Sequence, residues 1–212
     1  MVAGSIPARP TLDLIMIKHI FFDGDGMVVN KPKRFSQHLA SDYGISTAVT
    51  DEFFKNEFLA AEAGKADLKE ELKKYLGKWG WQKSLDEFLR YWFQSEHYLD
   101  DRLLASIREL RKRGLLCHLA TNQEKYRAEY MRDQMGLEEV FDNLFISADL
   151  GHRKPSQEFW MAAHRQLGIP DKSQVLVWDD KQDRVDSARQ FGFHAELYKN
   201  FDDYKTVLDS YL

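Results

Sequence analysis

Two aspartates separated by a single residue follow a short apolar stretch near the start of the chain. In the segment HIFFDGDGMVV, residues 19–29, Asp23 and Asp25 are each followed by a glycine. Like charges at this spacing repel each other, and carboxylates at the end of a buried strand destabilise a fold unless something neutralises them. The pair therefore predicts a metal ion, a cationic side chain or a reaction that involves residues elsewhere in the chain.

Polar residues of suitable kinds recur at the ends of later apolar stretches. The stretch LLCHLATN ends in Thr121 and Asn122, Lys154 follows a third stretch, and VLVWDD ends in Asp179 and Asp180. A single aspartate at a strand end is often only a turn or a helix cap. In an open α/β sheet, however, ligands bind beyond the carboxyl ends of the strands. The recurrence of such residues at successive strand ends therefore predicts one shared site.

Carboxylates, a lysine and a hydroxyl at one sheet edge suit phosphoryl transfer. A phosphate dianion repels an attacking carboxylate, so Mg²⁺ held by Asp23 and Asp180 would have to offset that charge. Lys154 would add a positive charge, and the Thr121 hydroxyl would add a hydrogen bond. The sequence thus predicts Mg²⁺ as the cofactor and a phosphate ester as the substrate.

The two aspartates of the DGDG segment would divide the covalent step from the proton transfers. Asp23 would attack phosphorus and form an aspartyl-phosphate, which splits one difficult step into two. Asp25 would protonate the leaving alkoxide and then deprotonate the water that hydrolyses the intermediate. The adjacent glycines would let backbone N–H groups approach the phosphate closely. The predicted phosphate-binding residues are Gly24, Gly26, Thr121, Asn122 and Lys154.

The composition limits the class of protein. The chain has 212 residues, 43% of them hydrophobic, so it can bury a substantial core and disorder is not expected. Its 30 basic and 34 acidic residues include no long basic run, which argues against nucleic acid as a partner. No stretch reaches the ~18 apolar residues of a membrane span. The single cysteine, Cys117, excludes an internal disulfide and suits a reducing compartment, so we expect a cytoplasmic protein.

Apolar stretches and amphipathic helical patterns alternate over much of the chain. The predicted strands are residues 14–22, 115–121, 144–149, 175–180 and 194–198. The predicted helices among them are residues 101–114, 155–168 and 183–192. Strands that are apolar throughout and alternate with helices indicate a parallel sheet covered on both faces. The sequence therefore predicts an α/β fold with a doubly wound, Rossmann-like parallel sheet.

Residues 31–98 interrupt this alternation and contain no convincing strand. They are predicted to form amphipathic helices at roughly residues 33–43, 50–63, 67–77 and 84–97. A helical block inserted directly after the first strand is expected to cover the carboxyl end of that strand. We therefore predict an α-helical cap domain at residues 31–98, an α/β core domain at residues 16–30 and 99–212, and a loose leader at residues 1–15.

Two groups of residues in the helical block have ordinary structural interpretations. The aromatic group favours core packing over ligand stacking and comprises Trp79, Trp81, Trp92 and Phe93. The basic group that opens the block is expected to be exposed linker charge and comprises Lys31, Lys33 and Arg34.

Four short motifs occur in an order that is specific to one family. The segments DGDG, LATN, HRKP and WDD resemble the four ordered motifs of the haloacid dehalogenase-like (HAD) hydrolases. The resemblance covers nearly the whole chain from Met16 and includes a helical cap of the first type. Within the family, the chain looks most similar to the branch that holds sugar-phosphate phosphatases and the N-terminal phosphatase domain of soluble epoxide hydrolases.

This resemblance implies roles for individual residues. Asp23 would be the nucleophile and Asp25 the general acid and base, while Thr121 and Lys154 would bind phosphate. The implied ligands of Mg²⁺ are Asp23, the Asp25 backbone carbonyl and Asp180, with Asp179 bound through water or placed outside the direct ligands.

One position departs from the family pattern. Where the family usually has threonine or valine, two residues after the second aspartate, this chain has Met27. Methionine is bulkier and cannot donate a hydrogen bond to this turn. We expect the difference to affect the catalytic rate and the fine geometry, and not the identity of the nucleophile.

The leading prediction is a Mg²⁺-dependent phosphatase that acts on a small phosphorylated metabolite, with sugar phosphates favoured by the resemblance. Three alternatives share the family: a metal-free haloacid dehalogenase, which would not need Asp25 or the Asp179–Asp180 pair, a phosphomutase, and a catalytically weak binding member. A phospho-accepting receiver domain would carry similar residues, but its acidic pair follows the first strand and its lysine comes last. In this chain an acidic pair, Asp179 and Asp180, follows Lys154, which counts against a receiver domain. We expect a monomer or a homodimer.

Overall fold

A five-stranded parallel sheet lies at the centre of the computed structural model, which describes residues 16–212. The strands are β1 (His19–Phe22), β2 (Leu116–Thr121), β3 (Asn143–Ile146), β4 (Val175–Asp179) and β5 (His194–Leu197). Their order is β3-β2-β1-β4-β5, and all neighbours are parallel. The predicted doubly wound α/β fold is confirmed. The predicted leader and residues 14 and 15 of the first predicted strand lie outside the described residues.

The strand order reverses beside β1, and this reversal places a crevice at the carboxyl ends of β1 and β4. From β1 the chain moves outwards through β2 to β3, and it then adds β4 and β5 on the other side. Phe22 is paired with Leu119 of β2 and Trp178 of β4, so these three strands end at nearly the same level. Ligands bind at such a switch point in open α/β sheets. Receiver domains have the order 2-1-3-4-5, so the topology argues against that alternative.

The residues between β1 and β2 include a helical block with a hydrophobic cluster of its own. Its helices are α1 (Phe35–Tyr43), α2 (Thr47–Lys55), α3 (Glu57–Glu62), α4 (Leu68–Lys73) and α5 (Leu85–Ser95). The interpretation of the aromatic group as core is confirmed, because all four residues are buried in this cluster. Backbone hydrogen bonds from Asn30 to Tyr98 and from Asp100 to Val28 hold the two linkers of the block together. These features support the predicted domain boundaries, which stay a prediction.

Helices cover both faces of the sheet, because alternate strand residues point to opposite sides. The helices of the core are α6 (Asp101–Lys112), α7 (Lys125–Asp133), α8 (Leu137–Val140), α9 (Ser147–Leu150), α10 (Gln157–Leu167), α11 (Gln182–Phe191) and α12 (Phe201–Leu208), besides a 3₁₀ turn at Lys172–Gln174. Ile20 and Phe22 join one hydrophobic cluster with α6, α7, α8 and α12, whereas Phe21 joins another with α10 and α11. Within residues 16–212, no helix combines the length and the apolar character needed to cross a bilayer.

Several predicted elements are wrong in extent. Among the described residues, β1 begins only at His19 of the predicted strand 14–22, and α4 ends at Lys73 of the predicted helix 67–77. The predicted helix at residues 50–63 is divided into α2 and α3, because Asn56 leaves the helical conformation and its side chain donates to the Glu52 carbonyl. The predicted strand at residues 144–149 ends at β3, because Ser147 begins a helix and its hydroxyl accepts from the Gln123 N–H. Helices α7, α8, α9 and α12 were not predicted.

Candidate active site

The turn after β1 brings an aspartate and two glycines to the crevice. Asp23 is 1% exposed, and its backbone N–H donates to a carbonyl of β4 at 2.9 Å. Gly26 has a φ of 96°, and a β-carbon at this position would collide with the Asp180 carboxylate. A β-carbon on Gly24 would lie 2.5 Å from Thr121 Oγ1. Both positions therefore require glycine, and both lie against predicted site residues.

The buried ammonium group of Lys154 connects two carboxylates of the crevice. Its Nζ atom lies 2.7 Å from Asp23 Oδ1, 2.6 Å from Asp179 Oδ2 and 2.6 Å from the carbonyl oxygen of Ala120. These acceptors satisfy its three N–H donors. The Asn122 amide donates to the Lys154 carbonyl at 2.9 Å and accepts from the Lys154 N–H at 2.8 Å. Asn122 thus holds the loop of Lys154, and its predicted contact with phosphate stays a prediction.

Three carboxylates of the crevice form a cluster that fits a divalent cation. One oxygen from each of Asp23, Asp179 and Asp180 lies within 4.8 Å of the other two. Asp23 Oδ2 and Asp180 Oδ1 are buried and have no hydrogen-bond partner among the described residues. Burying a charged oxygen without a partner is costly, and Mg²⁺ prefers oxygen ligands of this kind. The residues of the crevice therefore fit the predicted Mg²⁺ site.

The two acids after β4 differ in how far their oxygens are engaged. Asp179 is fully buried and accepts from the Lys154 ammonium and from the Lys181 backbone N–H at 3.0 Å. Asp180 is partly exposed, and its Oδ2 atom pairs with the Lys181 ammonium at 2.8 Å. Its other oxygen is the unpartnered one, so Asp180 is the acid of this pair with an oxygen available for a cation.

Arg184 is a residue of the crevice that sequence reasoning missed. It lies in the first turn of α11, with its Nη1 atom 3.5 Å from Asp23 Oδ2 and 3.6 Å from Asp179 Oδ1. Burial, reinforced by the Asp179 carboxylate, raises the pKa of Asp23, while Lys154 and Arg184 oppose this shift. The available signal was an arginine in a helix that starts directly after the WDD motif.

Asp25 lies in a different environment, close to the helical block. Its carboxylate accepts from Gln123 Nε2 and Arg127 Nη2, both at 3.0 Å, and lies 3.3 Å from Lys31 Nζ. Desolvation acts to raise the pKa of Asp25, but the charges of Arg127 and Lys31 outweigh it and lower the pKa below its usual range. Asp25 is therefore held as a carboxylate, the form in which a general base accepts a proton. Its role in proton transfer stays a prediction.

A charge network surrounds Asp25 and links the core to the helical block. Arg127 Nη1 lies 2.6 Å from Glu96 Oε2, and Lys31 Nζ lies 2.9 Å from Glu96 Oε1. The expectation that Lys31 is an exposed linker charge is wrong, because Lys31 lies between two acids. Sequence reasoning also missed Arg127, since α7 was not predicted, and Gln123, which lies in the loop between β2 and α7. The apolar periodicity of α5 gave no sign that Glu96 is buried.

Met27 takes no part in the crevice lining. Its side chain is fully buried in the hydrophobic cluster that contains Phe22 and residues of α6 and α7. Its backbone N–H donates to the Gly24 carbonyl at 3.3 Å, as part of the turn. The core therefore accommodates the bulk of methionine, and the expected effect on catalytic geometry stays a prediction.

A cavity of about 460 Å³, here named the site cavity, opens at the crevice. Core residues that line it include Asp23, Thr121 and Asp180, whereas Arg34 and Glu62 belong to the helical block. The helical block therefore lies over the carboxyl ends of the strands, as the position of its insertion predicts. Arg34, expected to be linker charge, is exposed and borders this cavity.

Comparison with known protein families agrees with this arrangement. A model of the haloacid dehalogenase-like hydrolases matches residues 17–192. The chain belongs to this family. All four sequence motifs lie within the matched range, so the predicted family resemblance is confirmed, and the HAD-like protein is an enzyme of the hydrolase class.

Individual relatives span most of the chain. It is 26% identical to the D-ribitol-5-phosphate phosphatase of Bacteroides thetaiotaomicron, over 91% of this chain and 97% of that protein. A HAD family enzyme of the same species, solved with magnesium and inorganic phosphate, matches with a TM-score of 0.77 at 18% identity, covering 90% of this chain and 98% of that chain. The L-2-haloacid dehalogenase of Xanthobacter autotrophicus matches with a TM-score of 0.64 at 20% identity, covering 92% and 83%. These structural matches show the shared fold.

Proposed function

We propose that this HAD-like hydrolase is a Mg²⁺-dependent phosphatase that cleaves a small phosphomonoester through an aspartyl-phosphate on Asp23. The observation that carries the proposal is the cluster of Asp23, Asp179 and Asp180, with two buried oxygens that accept no hydrogen bond among the described residues and Lys154 beside it. A carboxylate that attacks a dianionic phosphate needs positive charge beside it, which a cation held by these carboxylates would supply together with Lys154. A phosphatase among the relatives and a structural neighbour solved with magnesium and phosphate support it.

In the first half-reaction, an oxygen of Asp23 bonds to phosphorus while the bond between phosphorus and the ester oxygen breaks. A proton moves from Asp25 to the departing ester oxygen, which leaves as the free alcohol. The negative charge of a bound phosphate raises the pKa of a nearby carboxyl group, which favours a proton on Asp25 despite its cationic neighbours. Lys154 orients Asp23 through its 2.7 Å contact.

In the second half-reaction, a water molecule attacks the phosphorus of the aspartyl-phosphate. Asp25 takes a proton from this water, the bond between phosphorus and the Asp23 oxygen breaks, and inorganic phosphate leaves. Asp23 is then a carboxylate again and Asp25 is protonated again, so the cycle closes with one ester and one water consumed. The chemistry that bound Mg²⁺ supplies in such a site is neutralisation of phosphoryl charge. The residues proposed to hold it are Asp23, the Asp25 backbone carbonyl and Asp180, with Asp179 beside them.

The proposed substrate is a small phosphorylated metabolite. The helical block borders the site cavity through Arg34 and Glu62, so a bound substrate would be enclosed between the block and the core. Enclosure excludes water from the reacting phosphate and limits the size of what fits. The relative named for D-ribitol 5-phosphate supports a substrate of this size. The proposed phosphate contacts are Gly24, Gly26, Thr121, Asn122 and Lys154.

The experiment that tests the proposal measures phosphate release from acetyl phosphate and p-nitrophenyl phosphate with and without Mg²⁺. We expect turnover with Mg²⁺, its loss in excess EDTA, and its return when Mg²⁺ is restored. Mg²⁺ should also raise the thermal unfolding temperature, because an ion that binds the folded state stabilises it. Undiminished turnover in excess EDTA would overturn the proposal.

The same preparation distinguishes the other family activities. A haloacid dehalogenase would release chloride from chloropropionate without a metal ion, and a phosphomutase would produce an isomeric phosphate without net release of inorganic phosphate. Asp25 counts against the dehalogenase, because a halide leaving group has no use for a proton donor. Chloride release that persists in EDTA, without any phosphate release, would replace the proposed function by the dehalogenase alternative.

A further inference from the structure

A second cavity, of about 320 Å³, opens beside the site cavity. The lining residues that the two cavities share are Asp25, Lys31, Arg34 and Glu62. We name it the aromatic cavity, because its lining also includes Phe35, Phe54, Phe58 and Trp92. Asp23 and Asp180 line only the site cavity, so the proposed phosphate position lies in one cavity and the aromatic rings lie in the other.

The four rings of the aromatic cavity form a continuous group. The Trp92 ring centroid lies 4.9 Å from that of Phe35, 5.3 Å from that of Phe54 and 5.4 Å from that of Phe58. Phe35 and Trp92 are buried in the helical block, whereas Phe54 and Phe58 are only partly buried. Phe54 and Phe58 therefore retain ring surface that the packing of the block does not cover.

Most polar groups around the aromatic cavity already bond to one another. Arg127 pairs with Asp25 and with Glu96, and Gln123 donates to Asp25. Most hydroxyl groups of a polyol placed here would lose water and find donors and acceptors already engaged, which is unfavourable, whereas the buried Arg127 Nε–H has no partner among the described residues and is free to donate one hydrogen bond. An apolar group would instead gain from burial and from contact with the rings. The cavity thus suits an apolar body better than a hydroxylated chain.

Asp25 determines how a substrate spans the two cavities. It lines both of them, and the proposed reaction requires the ester oxygen to lie beside it. We infer, on the basis of the proposed function, that the substrate is a phosphate ester of an alcohol with an apolar, ring-sized body, which contacts Phe54 and Phe58 while the phosphate lies at Asp23. The volume of about 320 Å³ is at the small end of ligand pockets, which fits one ring on a short linker.

The test compares phenethyl phosphate and D-ribitol 5-phosphate, because both are phosphate esters of a primary alcohol and differ in the body that the alcohol carries. Acetyl phosphate is the reference, since its leaving group carries no ring. We expect kcat/KM for phenethyl phosphate to exceed that for D-ribitol 5-phosphate by at least ~10-fold, about 1.4 kcal/mol. Equal values or a preference for the polyol, with acetyl phosphate hydrolysed, would overturn the inference alone. Failure to hydrolyse any of the three would overturn the proposed function, and the inference with it.

Variants of the aromatic cavity test the ring contact directly. Phe54→Ala should lower kcat/KM for phenethyl phosphate about tenfold relative to acetyl phosphate. Phe54→Leu keeps most of the side-chain volume, so it repeats the test if the alanine variant unfolds. Ser36→Phe adds a ring inside the cavity and takes up space that the substrate would occupy. It should therefore also lower the ratio of kcat/KM for phenethyl phosphate to kcat/KM for acetyl phosphate. Tyr43→Ala removes a ring of the helical block that lines neither cavity and should change nothing. An unchanged ratio in folded Phe54→Leu and Ser36→Phe would contradict the inference.

Discussion

Asp23 and Asp25 are neighbours in the sequence, yet their side chains meet different partners. Asp23 is buried against Lys154 and Arg184 of the core, whereas a third of the Asp25 side chain is exposed and its partners lie on α7 and in the linker to the helical block. The first environment orients a carboxylate beside an oxygen cluster that fits a metal ion. The second leaves a carboxylate accessible from both cavities, which suits proton transfer to a leaving group.

Substitution of these two aspartates by asparagine should therefore impair different steps of the reaction. Asp23→Asn is expected to abolish phosphate release, because no acyl-phosphate can form. Asp25→Asn is expected to lower kcat by ~10²–10⁴-fold, the usual contribution of general acid–base catalysis. With p-nitrophenyl phosphate, whose leaving group needs little protonation, Asp25→Asn should accumulate phosphorylated Asp23, detectable by mass spectrometry. Near-normal turnover in Asp23→Asn would remove the nucleophile assignment.

Substitutions of the two acids after β4 should have different effects, one on metal binding and the other on the stability of the fold. Asp180→Asn is expected to raise the Mg²⁺ concentration at half-maximal activity and to reduce the thermal stabilisation by Mg²⁺, because its Oδ1 atom is the unpartnered one. Asp179→Asn is expected to lower the unfolding temperature without Mg²⁺, because the buried Lys154 would lose an ionic partner. Magnesium titrations and thermal melts of both variants check this. A larger Mg²⁺ effect in Asp179→Asn would reverse the two roles.

At the scale of elements, Glu96 joins four segments at one point. It follows α5, pairs with Lys31 and Arg127, and accepts from the Phe35 backbone N–H at the start of α1 and from the indole N–H of Trp92. Glu96 is 4% exposed and Arg127 is 2% exposed, so this network has little access to water. The attachment of the helical block to the core therefore depends on a buried charge.

Removing that charge should destabilise the protein. Glu96→Gln is expected to lower the free energy of unfolding by about 3 kcal/mol, because Arg127 and Lys31 would lose their shared acid in a buried setting. The matched control is Glu70→Gln, which breaks the exposed pair with Lys73 and should cost less than about 1 kcal/mol. Urea unfolding of both variants measures the difference, and equal losses would mean that burial of the network contributes nothing.

The central strands contain a histidine whose ionisation should affect stability. His118 of β2 is fully buried, with Nε2 3.1 Å from His19 Nδ1 of β1 and Nδ1 3.3 Å from Asn143 Nδ2 of β3. Burial, helped by the charge of His19 and opposed by Asp142, lowers the pKa of His118 to about 4. The folded state therefore keeps this ring neutral at a pH where an unfolded histidine, with a pKa near 6.5, already binds a proton.

The sign of this linkage gives a pH-dependent prediction. Between pH 6.5 and about 4, the unfolded state binds a proton at His118 that the folded state does not bind. The contribution of neutral His118 to the free energy of unfolding is therefore fully present above pH 6.5 and is lost as the pH falls. Over the whole interval down to about pH 4, the free energy of unfolding decreases by an amount on the order of 3 kcal/mol. Unfolding measured at pH 7 and at pH 5 should therefore depend less on pH in His118→Phe than in the parent. Exposed His152→Gln is the control, and an identical pH dependence of all three proteins would contradict the prediction.

At the scale of the whole molecule, access to the crevice depends on the helical block. Both cavities are lined by residues of the core and of the block, including Asp25 and Glu62. The block is attached through two linkers that are bonded to each other at Val28–Asp100 and Asn30–Tyr98. A substrate must therefore fit between two bodies that are also joined by the buried Glu96–Arg127 pair, and a small molecule can do so more readily than a polypeptide.

This arrangement predicts selectivity for small substrates. With Mg²⁺ present, kcat/KM for at least one small phosphate ester should exceed that for phosphoserine and phosphotyrosine peptides by ~10-fold or more, because the peptide backbone cannot enter an enclosed site. A panel of both classes at one Mg²⁺ concentration checks this, with free phosphoserine as the matched control for the peptide. A clear preference for the peptides would mean that the helical block does not enclose the substrate.

The sequence alone determined the sheet and the residues at its carboxyl edge. Apolar runs that alternate with amphipathic helices leave few arrangements other than a covered parallel sheet, and all strands of such a sheet end at the same side. Asp23, Thr121 and Asp180 could therefore be assigned to one site from their positions at strand ends, and Lys154 from its place in the loop between the third strand and the next long helix. The errors in the predicted elements lie where a side chain competes with the backbone for hydrogen bonds, as at Asn56 and Ser147.

Only the tertiary structure decided what surrounds Asp25 and what lies beyond it. Lys31, Glu96 and Arg127 belong to three separate segments, and in the sequence each resembles an ordinary surface charge. Their pairing depends on removal from water, which occurs only when the helical block packs against the core. The same packing leaves parts of Phe54 and Phe58 uncovered beside Asp25. Local sequence patterns describe single elements, whereas burial and charge pairing arise between elements, so these features could be read only from the folded chain.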